Sequence, residues 1–126
     1  MAKFELKYLF LSHGIIAFLF GTGFIILPSL IAPLMGFSLG DDGIALMRVC
    51  GSMILGIGII AFGVRKEPHS ALRQQIILAF IVLYTILDII KFLYFDLTNW
   101  MIWFLIVLHT SFVFIYSYFL IKNRGK

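Results

Sequence analysis

The run from Asp42 to Val64, DGIALMRVCGSMILGIGIIAFGV, constrains this chain more than any other stretch. It is apolar, long enough to cross a bilayer as one helix, broken by a single arginine and dotted with small residues. At about 100° per residue, Ala45, Arg48, Ser52, Gly56 and Gly63 fall within an arc of roughly 80°, with Gly51 and Gly58 on its flank. The far side carries Leu46, Val49, Cys50, Met53, Ile54, Ile57, Ile60 and Ala61, which suits acyl chains. Lipid gives no hydrophobic drive between helices, so small residues mark where backbones approach. The pattern therefore predicts an inward face of Ser52, Gly56 and Gly63, with Arg48 pointing inward beside them.

Three further runs of similar length accompany it, so the spans are expected at about 6–27, 43–64, 72–95 and 100–121. With 62% hydrophobic residues, the 126-residue chain is not composed like a soluble domain. The expected fold is all-α, a single integral membrane four-helix bundle covering 1–126. No segment between spans is long enough to fold alone, which leaves no room for a soluble catalytic domain.

The net charge of +4 follows membrane topology rather than nucleic acid. Lys3 and Lys7 precede the first span, Arg65, Lys66 and Arg73 surround the turn after the second, and Lys122, Arg124 and Lys126 follow the fourth. Asp41, Asp42 and Asp96 occupy the other side, with Lys91 the one base near it. This asymmetry puts both the N-terminus and the C-terminus in the cytoplasm of a multi-pass cell-membrane protein. The first span is longer than a signal-peptide core and no small-x-small cleavage site follows it, so it is expected to be retained. The single cysteine, Cys50, permits neither an internal disulfide nor a C-x-x-C pair and reads as an apolar filler.

In chain order, Phe4 to Lys7 makes a short amphipathic entry, and Gly14, Ala17 and Gly21 give the first span a small-residue face to pack on the second. His13 lies beside that face. Pro28 ends the first span. Residues 28–41 are apolar but proline-broken, and are expected to lie at the outer interface with one helical turn. Asp41 or Asp42, Ser70, and Thr98 or Asn99 are the expected helix caps. Trp100 and Trp103 at one end of the fourth span, and Tyr116 and Tyr118 at the other, read as interfacial anchors.

Arg48 and Asp88 are costly at membrane depth, roughly 2.5–3.5 kcal/mol each on insertion scales, and such residues face the interior and pair. Their depths match, so an Arg48–Asp88 ion pair is expected, with Lys91 and Thr85 in its network; alternatively Lys91 snorkels to the outer interface. Tyr84, Thr85, Lys91 and Phe92 share a face with Asp88, and Phe112, Val113 and Tyr116 share one with His109. Arg48, Asp88, Tyr84, Thr85 and His109 are thus the candidate ligand-binding set. They could equally fix helix register alone. No two histidines share a face or a depth, so no metal site is expected, and His109 reads as a hydrogen-bonded core residue. No catalytic residues are predicted, and no cofactor, although a quinone or lipid could enter the interior.

One longer pattern joins the first two spans. A glycine-containing helix ends in Leu27-Pro28 after Gly21 and Gly23, a spacer holds Gly36 and Gly40, and Arg-x-x-Gly-x-x-x-Leu-x-x-Gly follows as Arg48, Gly51, Leu55 and Gly58. This resembles the DoxX-like group of small four-helix membrane proteins over about the first half of the chain. The resemblance implies a four-helix bundle and, for some members, an accessory role beside membrane oxidoreductases that use quinone. It supplies no catalytic residue.

The leading functional expectation is an accessory or structural subunit of a membrane complex or homo-oligomer, whose partners are the lipid bilayer and another membrane protein or further copies. A binder of a small hydrophobic or anionic ligand in the bundle interior is the first alternative. A small dimeric transporter using Asp88 is the second, and an enzyme the last.

Overall fold

The computed structural model describes residues 5–122; the expected entry at Phe4 and the bases Lys3, Arg124 and Lys126 lie outside the described residues. Among the described residues there are five helices and no strand: α1 (Leu6–Ile26), α2 (Pro28–Leu34), α3 (Asp41–Val64), α4 (Ala71–Tyr94) and α5 (Trp100–Lys122). All but α2 are long and apolar enough to cross a membrane. The chain divides into two compact units, Met1–Glu67 and Pro68–Lys126.

In the first unit α1 packs on α3, and α2 touches both. The packing rests on glycines seven residues apart, two helical turns, on each partner. A Cβ on Gly21 would stand 2.9 Å from the Gly51 carbonyl oxygen, and one on Gly51 would stand 2.8 Å from that of Gly21. Gly14 and Gly58 meet in the same way, at 3.3 and 3.2 Å from each other's oxygens, so α1 and α3 run antiparallel. Met47, Gly51, Gly58 and Ala61 are the buried residues of α3, and Leu6, Leu9, Phe10, His13, Gly14, Ala17 and Gly21 those of α1.

This seam lies about 130° round α3 from the face expected from the sequence. Gly56 and Gly63 have open space where a Cβ would stand, Ser52 is exposed and donates to the Val49 carbonyl at 2.7 Å, and Arg48 is exposed. Ala61, expected toward acyl chains, is fully buried. The chain carries two seven-spaced glycine pairs on α3, 51/58 and 56/63, and α1 takes the first.

Leu27, preceding Pro28, leaves helical geometry at φ −123° and ψ 40° and ends α1, while Pro28 opens α2 at a position that needs no N–H. α2 is two turns long rather than one. It closes in a Schellman motif: Gly36, at φ 81°, donates its N–H to the Pro33 carbonyl at 3.0 Å, and Phe37 donates to Ala32 at 2.9 Å. Only glycine adopts that φ without strain. The N-cap of α3 is Gly40, with no side-chain cap bond; Asp41 and Asp42 occupy the first turn instead, where they meet the positive end of the helix dipole.

In the second unit α4 packs on α5. Ser70 caps α4 by accepting the Arg73 N–H at 3.2 Å, and Asn99 caps α5 by accepting that of Met101 at 2.8 Å. In the turn between them, the Thr98 N–H and then its hydroxyl bind the Asp96 carboxylate and hold it below the usual carboxylate range. Ile77, Phe80, Tyr84, Asp88 and Lys91 form one buried stripe on α4, spaced three or four apart. Ile102, Leu105, Ile106, Phe112, Tyr116 and Phe119 answer it from α5. Tyr116, expected as an interfacial anchor, is wholly buried in this seam, whereas Tyr118 is exposed with the Lys122 ammonium over its ring.

The glycine seam makes a sharp prediction. Gly21→Ala or Gly51→Ala should lower stability by roughly 1–3 kcal/mol, because the added methyl meets backbone that has nowhere to move. Gly56→Ala should be neutral or stabilise by up to about 1 kcal/mol through helix propensity. Thermal unfolding of the purified protein in mild detergent checks both, and equal losses at Gly21 and Gly56 would contradict the seam.

Candidate functional site: a buried Asp–Lys–His–Thr cluster

The stripe on α4 is apolar until it reaches Tyr84, Asp88 and Lys91. The three-residue step from Asp88 to Lys91 puts both side chains on one face, and the Lys91 Nζ donates to the Asp88 Oδ1 at 2.7 Å. Both are buried; Lys91 is only 5% exposed, so it turns into the seam instead of snorkelling outward.

From α5, Thr110 Oγ1 donates to the Asp88 Oδ2 at 2.8 Å, and His109 brings its Nδ1 within 2.6 Å of the Lys91 Nζ. An ammonium has three N–H groups and no acceptor, so Nδ1 must accept and the ring proton sits on Nε2. The imidazole is therefore neutral. Its Nδ1 stands 3.6 Å from the Asp88 Oδ1, beyond hydrogen-bond reach. One carboxylate, one ammonium and one neutral ring sum to zero charge, which is the least costly state for such groups away from water.

Aromatic rings cover one flank of the cluster. The Tyr84 ring lies on the His109 ring with centroids 4.6 Å apart and on the Phe112 ring at 5.7 Å. Phe112 continues to Tyr116 at 6.1 Å, and Tyr116 to Phe80 at 5.7 Å. Elsewhere on these two helices Phe92 meets Trp103 edge-on at 5.9 Å, and the Trp103 Nε1 donates to the Leu97 carbonyl at 2.7 Å.

Of the five residues expected to form a ligand site, the structure brings together Asp88, Tyr84 and His109. Thr85 is exposed, and its hydroxyl donates to the Ile81 carbonyl of its own helix at 2.8 Å. Arg48 belongs to the other unit, and both Asp88 oxygens are engaged without it. Sequence reasoning missed Thr110 altogether, although the polar run His109-Thr110-Ser111 interrupts an otherwise apolar helix and signals a buried partner. Among the described residues no group of three or more His, Cys, Asp or Glu is placed to hold a metal ion.

Chemically, the arrangement joins a charge pair to one imidazole whose second nitrogen is a donor. Removing one member of the pair strands the other, so Lys91→Met should cost roughly 3–5 kcal/mol. Thr110→Val, which deletes one bond to a charged oxygen, should cost about 1.5–3 kcal/mol. Combining Lys91→Met with Asp88→Asn should recover most of the first loss, and a double-mutant cycle followed by detergent unfolding reads it directly.

Compared with known proteins, the chain matches no family model, no curated protein and no solved structure.

Proposed function

We propose that this chain is a multi-pass membrane protein, with both termini cytoplasmic, that serves as an accessory or structural subunit of a larger membrane assembly or of a homo-oligomer. The observation that carries the reading is the surface of its four span-length helices. Large apolar side chains such as Phe18, Leu19, Met53, Ile59, Val107 and Phe114 stand exposed along them. Such surfaces call for lipid or other helices, and these 126 residues include little else with which to act. The likeness of the first half to the DoxX-like group supports the same role.

A second reading, a binder of a small lipid-soluble ligand, is favoured by one specific observation. Among the described residues of its unit, no group accepts from the His109 ring nitrogen that Lys91 does not engage. Transport through Asp88 has weaker support, since a freely exchanging carboxylate is at odds with one held by Lys91 and Thr110.

Native mass spectrometry of the protein released from its own membranes is expected to show a reproducible additional protein mass or multiple copies; a lone monomer without cross-links would overturn the first reading. The orientation is checked separately. In a Cys50→Ser background, Lys66→Cys should react with a membrane-impermeant thiol reagent only after the cytoplasmic side is opened, and Thr98→Cys should react from outside.

A further inference from the structure

We propose that His109 Nε2–H is the docking donor for a neutral, hydrocarbon-soluble ligand bearing a carbonyl oxygen, held against the α4–α5 seam. This deepens the ligand-binding reading above and rests on it. Lys91 occupies Nδ1, so the ring must present its proton at Nε2. Among the described residues nothing accepts from that nitrogen, and the side chain remains 17% exposed. The donor thus lies on the ring edge that Lys91 does not engage, in a side chain that stays partly open.

Two features define the ligand. The cluster is already neutral, with Asp88 and Lys91 compensating each other, so it offers no charge to attract an anion. An oxygen acceptor on an uncharged molecule is what remains. Depth then restricts its source. His109 lies nine residues beyond Trp100, about 14 Å along α5, which is close to the midplane of a hydrocarbon layer roughly 30 Å thick. Phospholipid ester groups sit at the interface and do not reach that level. An N–H left facing acyl chains there is costly. The acceptor therefore belongs to a molecule dissolved in the hydrocarbon layer itself. The Tyr84 ring, tilted 30° against the imidazole with centroids 4.6 Å apart, restrains the ring plane and hence the donor direction.

The test uses the full chain in lipid nanodiscs with isotope-labelled histidine. The probes are a long-chain methyl ketone labelled at its carbonyl carbon and the alkane of equal length. The ketone should move the His109 Nε2–H resonance downfield with saturation, and the alkane should leave it in place. His109→Asn keeps an acceptor for Lys91 but places no donor at the Nε2 position, and should abolish the bound carbonyl signal. His109→Gln puts an amide nitrogen near that position and should restore the signal. A saturable bound-ketone signal unchanged in His109→Asn would keep the ligand reading and remove His109 from it. Absence of any bound ketone in the wild-type protein would overturn both.

Discussion

A carboxylate and an ammonium buried in an apolar seam must meet, and the pairing of Asp88 with Lys91 is the contact on which the second unit depends. Neither charge is tolerable there alone. Once Lys91 turns inward to Asp88, its remaining donors need an acceptor, and His109 across the seam supplies one. Asp88 in turn needs its second oxygen satisfied, and Thr110 does so from the next position on α5. These bonds set which residue of α5 stands opposite which residue of α4. The aromatic contacts between Tyr84, His109, Phe112 and Tyr116 follow from that register.

The first unit solves the association of two apolar helices without charge. Gly14 and Gly21 on α1 and Gly51 and Gly58 on α3 let the backbones come so close that a methyl on Gly21 or Gly51 would collide with carbonyl oxygen or amide nitrogen. Dispersion between closely packed backbones and flanking side chains replaces the hydrophobic drive that lipid cannot give. The two units therefore hold together by different means, one by shape and the other by a closed polar network. Shape tolerates no added volume, whereas the network tolerates no missing partner.

That difference bears on function. The glycine seam engages only its own helices and offers no chemistry. The polar cluster satisfies its charges internally, and among the described residues the second ring nitrogen of His109 has no acceptor. On the proposed membrane reading, such a donor suits recognition of an uncharged molecule, and it is compatible with an accessory role in which the reaction occurs elsewhere.

By itself the sequence determined the helices: four apolar runs of spanning length, with Pro28, Ser70 and Asn99 placing boundaries through local chemistry that needs no tertiary partner. It also marked Asp88, Tyr84 and His109 as residues that require company, because their spacing falls on single faces. The tertiary structure alone decided which glycine stripe of α3 is used, since 51/58 and 56/63 have the same spacing and only Gly14 and Gly21 of α1 select between them. It likewise decided that Lys91 points inward. A lysine near a helix end can reach either way; Asp88 on its own helix draws it inward, and the His109 acceptor brought by α5 satisfies the donor that this leaves over. Periodicity fixes what lies on one face of one helix; which face meets which neighbour depends on the shape and polarity of the partner helix.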